Sequence, residues 1–275
     1  MIGIDDGRFG TANRWVVDDG RAGDSGAAAH QPGVDLFCFP HAGGGPSFFR
    51  PWRAALAPEV AVHRILLPGR EGRLEEPPFR HITELAGPLC AALEPHLDRP
   101  YALFGHSMGA VVAYEVARWF SRPGRTAPAC LIVSGRRAPG LGTDRRRLSD
   151  LPDGEFLAEV GRLNGIPPEV LGEPELLDML LPALRADFEL AETYQPLPGG
   201  GLDCPVTAYL STGDPEVDDA GVLPWQEVTA GKFAMRVFRG DHFYLKAGRP
   251  DVLDAIRADV LPERSARVTH PAVAS

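Results

Sequence analysis

Apolar residues follow two patterns along this chain. Short apolar runs, bounded by Gly, Pro or charged residues, recur at 34–39, 59–67, 101–104, 130–134, 206–210 and 233–238. A run that stays apolar at successive positions predicts a strand buried on both faces, as in a parallel sheet. Between these runs, apolar residues three and four apart predict helices at 48–56, 82–97, 110–120 and 252–261, with Pro88 a complication inside the second. Alternating strands and helices predict an α/β domain, with a mostly parallel central sheet flanked by helices. Residues 1–30 are rich in Gly, Ala and Asp and lack periodicity, so a mobile arm is expected, with Asn13-Arg14-Trp15-Val16-Val17 a candidate short edge strand. Residues 263–275 are expected to form a flexible tail.

The pattern changes at Arg136. From 136 to 195 the chain carries basic clusters, several prolines and two helical stripes, and no strand is predicted. Phe156, Leu157, Val160 and Leu163 share one helix face. Leu176, Leu180, Leu184 and Phe188 share another, with Pro182 expected to kink it. A helical insertion between two strands is a common form of active-site lid. The plainer alternative makes these helices layers of the core. The expected organisation is a core of 31–135 and 196–262 with a lid insertion of 136–195.

The chemistry centres on Gly105-His106-Ser107-Met108-Gly109, the one Gly-x-Ser-x-Gly match in the chain. A predicted strand precedes it and a predicted helix follows it, which is the setting of a nucleophile elbow. Glycines flank Ser107 because so sharp a turn leaves no room for side chains. The Met108 N–H, at the helix N-terminus, would stabilise negative charge near Ser107. A structural Ser in a Gly-rich turn is the plain alternative.

Another Gly-rich loop, Pro40-His41-Ala42-Gly43-Gly44-Gly45, follows the 34–39 run. It spells neither a P-loop nor a dinucleotide fingerprint. In serine hydrolases such a loop supplies the second oxyanion N–H, assigned here to Ala42. His41 is expected to shape the loop rather than act as base. The base is better placed after a late strand, where His242 stands in Gly240-Asp241-His242. The hydroxyl of Ser107 needs an imidazole to take its proton, and that imidazole needs a carboxylate to hold its tautomer. Asp214, at the end of the 206–210 run, is the first choice. Asp218 and Asp219 lie on the same loop, and Asp241 adjoins His242, although immediate neighbours tend to diverge. The charged stretch Arg70-Glu71-Gly72-Arg73 reads as a solvated loop or, less commonly, as ligand-facing.

Composition narrows the classes. A chain of 275 residues with 44% hydrophobic content fits one large α/β domain or two small ones. The net charge of −9 argues against a general nucleic-acid binder. No apolar run approaches the roughly 20 residues of a membrane span, and no basic-then-apolar signal opens the chain. Cys38, Cys90, Cys130 and Cys204 show neither metal spacing nor a disulfide framework, so buried thiols in a reducing cytoplasm are expected.

Taken together, these stretches resemble the type II thioesterases that accompany polyketide synthases and nonribosomal peptide synthetases. The resemblance spans about 36–245. It rests on Phe39-Pro40-His41-Ala42-Gly43-Gly44, Leu67-Pro68-Gly69-Arg70-Glu71, Leu103-Phe104-Gly105-His106-Ser107-Met108-Gly109-Ala110, Leu184-Arg185-Ala186-Asp187-Phe188 and His242-Phe243-Tyr244-Leu245. It implies an α/β-hydrolase fold with a helical lid and a Ser-His-Asp triad. It also implies hydrolysis of acyl thioesters from the phosphopantetheine arm of acyl or peptidyl carrier proteins, clearing stalled or misprimed synthases, with no metal or other cofactor. The family acid lies in a Gly-x-x-Asp-like segment. Here Gly213 directly precedes Asp214, which leaves Asp218 as an alternative. A carboxylesterase or lipase, an acyltransferase, and a non-catalytic binding protein on the same scaffold are the competing readings. A monomer is expected. The basic stretches Arg136-Arg137 and Arg145-Arg146-Arg147 are candidates for receiving an acidic carrier protein, a solvated charge run being the plainer reading.

Overall fold

A computed structural model describes residues 14–17, 33–141, 146–166, 170 and 172–261. The expected tail, most of the expected arm and Arg145 lie outside these residues. The strands are β1 (Val16–Val17), β2 (Val34–Phe39), β3 (Val60–Ile65), β4 (Tyr101–His106), β5 (Cys130–Ser134), β6 (Val206–Ser211) and β7 (Phe233–Phe238). They form one sheet in the order β1-β3-β2-β4-β5-β6-β7. Only β1, the described part of the arm, is antiparallel; it pairs Val16 with Ile65. The other neighbours are parallel.

Period-two alternation divides each central strand between two cores. Phe37 and Phe39, Tyr101 and Leu103, and Leu131 and Val133 point into one cluster. Leu36 and Cys38, Ala102 and Phe104, and Cys130 and Ile132 point into the other. A strand buried on both faces must be apolar throughout, which is why these runs show no polar alternation.

Helices cover both faces. On one side α2 (Ile82–Leu93) and α3 (Met108–Phe120) bury Leu85, Leu89, Val112 and Val116 in the first cluster. On the other, α1 (Arg50–Leu56) and the C-terminal helix bury Trp52, Leu56, Val252 and Ile256 in the second. The helix expected over 82–97 ends at Leu93 and continues as a 3₁₀ turn, Glu94–His96.

Between β5 and β6 stand α4 (Asp153–Arg162) and α5 (Pro174–Glu192). Helix α5 has 19 residues, against 12 in α2 and 13 in α3, and it continues through Pro182. Its C-terminal end places Leu190 and Ala191 in the first sheet cluster. Its earlier turns instead join a small separate cluster of Leu151, Phe156, Val160, Ile166 and Leu184. The apolar stripe is displaced from the expected one. Leu177 and Leu181 pack on that cluster, whereas Leu176 is 38% exposed. Spacings of four, three and four through Leu177, Leu181, Leu184 and Phe188 follow the helical repeat and exclude Leu176. The Arg185 guanidinium lies 4.4 Å from the Phe156 ring and donates to the carbonyls of Ser149 and Leu151, tying α4 to α5.

The solvated reading of the 70–73 loop is overturned for both arginines. Arg70 and Arg73 are 4% and 2% exposed. Arg73 lies 4.3 Å from the Trp15 ring and pairs with Glu76.

Candidate active site

The site begins where β4 meets α3. Ser107 has φ 54° and ψ −116°, a conformation side-chain-bearing residues rarely adopt. Such strain costs about 1–3 kcal/mol and persists only where the surroundings impose it. Here they do. The Ser107 N–H donates to the Ser134 carbonyl at 2.8 Å. A Cβ on Gly105 would lie 2.1 Å from the Gly109 carbonyl oxygen, and one on Gly109 would lie 2.1 Å from that of Phe39. Both positions therefore require glycine, and the turn presents Ser107 at the sheet edge.

The sheet order reverses around β2, whose neighbours are β3 and β4. In open α/β sheets such a reversal opens a crevice beyond the strands' C-terminal ends. Pairing of Phe39 with Gly105 sets the loop 40–45 beside the Ser107 turn. Ala42, in that loop, and Ser107 line one cavity of about 590 Å³. Met108 is the first residue of α3, so its N–H has no acceptor within the helix.

His242 lines the same cavity. Its Nδ1 lies 2.7 Å from Asp214 Oδ2, with side-chain exposures of 8% and 0%. The other Asp214 oxygen accepts the Glu216 N–H at 2.8 Å. The carboxylate is thus fixed on both oxygens. The alternatives point elsewhere. Asp218 is exposed, caps a helical turn through the Gly221 N–H and faces Arg137. Asp219 is exposed. Asp241 accepts from the Phe243 N–H and from Asn164.

Two further histidines surround this pair. His41 packs edge-on against Phe48 and Phe243, with ring centroids 4.7 and 4.9 Å away. Burial, reinforced by the positive charge of its neighbours, pushes its pKa down to about 3, so it stays neutral. The sequence marks His106 only as a member of the Gly-x-Ser-x-Gly motif. Its ring centroid is 5.0 Å from that of His242. Its Nδ1 contacts Ser134 Oγ at 2.9 Å, and that hydroxyl contacts the Tyr244 hydroxyl at 2.7 Å. Burial holds the His106 pKa well below the usual histidine range. His242 therefore stands beside two neutral imidazoles.

Val160, Leu163 and Phe188, from α4, its C-terminal cap and α5, line the same cavity as Ser107. Arg136, Arg137, Arg146 and Arg147 line it as well. Arg136 is half-buried and donates to the Ala191 carbonyl, which makes it part of the packing rather than an open charge. Arg146 and Arg147 are 70% and 51% exposed and lie near Glu155 and Asp150. The four cysteines are free and buried, and burial raises the Cys90 and Cys130 thiols to about 12, which leaves them unreactive. Among the described residues, no helix is long and apolar enough to cross a membrane.

The family model for the thioesterase domain matches residues 34–260. Thioesterase PikA5 of Streptomyces venezuelae is 41% identical over 242 residues, 86% of each chain. The solved structure of BorB, a type II thioesterase from the borrelidin biosynthetic cluster, has a TM-score of 0.78. It is 40% identical, and the match covers 85% of this chain and 95% of that one. YbtT, a type II thioesterase from the yersiniabactin NRPS/PKS pathway, has a TM-score of 0.75 at 34% identity, covering 83% and 93%. A family match running from β2 into the C-terminal helix, over a parallel sheet with a Gly-x-Ser-x-Gly turn at its edge, means that the chain belongs to the thioesterase family and has the α/β-hydrolase fold.

Proposed function

We propose that this protein is an editing thioesterase. It hydrolyses acyl thioesters held on the phosphopantetheine arm of acyl or peptidyl carrier proteins, and so clears aberrant or stalled groups from a polyketide or nonribosomal peptide synthase. The observation that carries the reading is the buried Asp214–His242 bond opening on the cavity that holds Ser107. With Nδ1–H given to Asp214, His242 keeps Nε2 free to accept the Ser107 proton. Ser107 attacks the thioester carbonyl, and the N–H groups of Ala42 and Met108 stabilise the oxyanion. The pantetheine thiol leaves with a proton from His242. Water, deprotonated by His242, then releases the acid and restores Ser107. Residues 136–195 act as the lid, and their apolar faces receive the acyl chain.

The names of PikA5, BorB and YbtT support the thioester and the synthase setting over a carboxylesterase, a lipase or an acyltransferase. The exposed Arg146 and Arg147 support an acidic carrier as partner, since an acidic chain needs a local basic patch to attract one. The test is mass spectrometry of a panel of acyl-carrier proteins before and after incubation. Free carrier and released acid are expected. Charge reversal at Arg146 and Arg147 should raise KM for acyl-carrier protein and spare a small acyl thioester. Faster turnover of oxygen esters, or transfer to an added amine or alcohol in place of hydrolysis, would overturn the reading.

A further inference from the structure

The 40–45 loop is held in place by a charge pair that the mechanism above does not use. Arg70, on the loop after β3, and Asp187, on α5, form a two-pronged ion pair. Nη1 lies 2.6 Å from Oδ2, and Nη2 lies 2.8 Å from Oδ1. The side chains are 5% and 2% exposed. Every donor nitrogen of Arg70 has an acceptor. Nε and Nη2 donate to the Pro68 carbonyl, and Nη1 also donates to the Gly44 carbonyl at 3.1 Å. The Asp187 Oδ2 accepts the Gly43 N–H at 2.7 Å. The pair therefore grips the two peptide units on either side of the Gly43–Gly44 bond, through the N–H of Gly43 and the carbonyl of Gly44.

Packing from the same face of α5 completes the grip. A Cβ on Gly43, where φ is +73°, would lie 2.6 Å from Leu184 Cδ1. A Cβ on Gly69 would lie 3.2 Å from Ala183 Cβ. The 40–45 loop and the loop after β3 thus approach α5 closely where those side chains are missing.

A buried pair does not explain itself by stability. Its desolvation cost commonly matches what apolar residues of similar volume would contribute. What this pair supplies is position, because the gripped Gly43 N–H belongs to the peptide unit that begins at Ala42. We infer that Arg70 and Asp187 are positioning residues, which hold the Ala42 N–H at the place of the developing oxyanion and make that place depend on the seating of α5. The inference rests on the proposed roles of Ser107 and Ala42.

Two variants test it. Asp187→Asn leaves a buried guanidinium without its counter-charge and is expected to lower both kcat and Tm. The double variant Arg70→Met/Asp187→Leu removes both charges and restores Tm, but it leaves the Gly43 N–H without its acceptor. A displacement of about 1 Å costs on the order of 10²-fold in rate. The double variant should therefore keep a kcat about 10²-fold low for a small acyl thioester, with KM nearly unchanged. A boronic acid forming a tetrahedral adduct on Ser107 should lose affinity in proportion to kcat/KM, because it uses the same N–H groups. A double variant with parent Tm and parent kcat, or unchanged boronate affinity, would overturn the inference. If the unmodified protein turns over no thioester, the proposed function fails, and the boronate affinities alone decide the positioning role.

Discussion

At the C-terminal end of β4 there is no room for one more carbon. Gly105, Gly109 and the Phe39 carbonyl touch so closely that a Cβ at either glycine would overlap backbone. Between α4 and α5, which contribute Val160 and Phe188 to the same cavity, the packing is of another kind. The cluster between α4 and α5 has five buried apolar residues, with Leu177, Leu181 and Phe188 only partly covered and Leu176 and Met179 exposed. The Ser107 turn is specified by backbone sterics, which allow one geometry. The α4–α5 wall is specified by apolar contacts between side chains, which allow several arrangements at similar free energy. Bond-making chemistry needs the first kind of specification. Accepting acyl groups of different shape needs the second.

This difference predicts how substitutions should behave. The largest effects belong to the rigid side. Ser107→Ala should lower kcat by on the order of 10⁶-fold and Asp214→Asn by about 10⁴-fold, the scales of losing a nucleophile and an orienting acid. Asp218→Asn and Asp241→Asn should stay near the parent rate. Steady-state kinetics on a small acyl thioester, with circular dichroism to verify folding, would decide. A folded Ser107→Ala variant that keeps its rate would sink the serine mechanism, and a reversed ranking of the three acids would move the assignment away from Asp214.

Substitutions on the α4–α5 wall should alter selectivity, not chemistry. Leu163→Trp and Phe188→Trp, both at residues lining the Ser107 cavity, should change the ratio of long-chain to short-chain turnover by about 10–200-fold, the range a hydrophobic pocket reaches for a methylene. Turnover of the shortest acyl thioester should persist. Chain-length profiles unchanged by both would count against residues 136–195 as the lid.

The smallest effect concerns stability and pH. His41 has a folded pKa of about 3, against about 6.5 when unfolded. Between those values the unfolded chain binds a proton that the folded protein does not. Stability is therefore complete above about pH 6.5 and is lost as pH falls, with a limiting slope of about 1.4 kcal/mol per unit for one proton. Buried His106 acts in the same direction. Denaturant titrations between about pH 6.5 and 4 should give a shallower slope for His41→Gln than for the parent. Equal slopes would mean that His41 is not held neutral.

Much of this was legible in the sequence, because the strands are apolar on both faces and the Ser107 turn is a local motif. Position 109 shows why local signals suffice there. Its requirement for glycine comes from the backbone of β2, a neighbouring strand that the same pattern already predicts. The Arg70–Asp187 pair was not legible. Its partners are 117 residues apart, and an arginine in a charged loop has the same sequence pattern whether solvated or buried. Helix α5 misled by one position. Leu176 and Leu177 are both apolar, and only the neighbouring cluster determines which of them is covered. The choice of Asp214 over Asp218 depended on side-chain direction within a single loop, which spacing does not encode.

The length of α5 has a mechanical consequence. At 1.5 Å per residue its 19 residues extend about 28 Å, some 9 Å beyond the 13 residues of α3. One end is anchored in the sheet core by Leu190 and Ala191, while Leu176 and Met179 at the other stand in solvent. Asp187 sits close to the anchored end, with about 16 Å of helix between it and Leu176. The helix is a lever with Asp187 near its fulcrum. A displacement of the solvent-facing end would reach the Gly43 hydrogen bond as a smaller one, so in the proposed lid role α5 would yield most where it is farthest from Asp187.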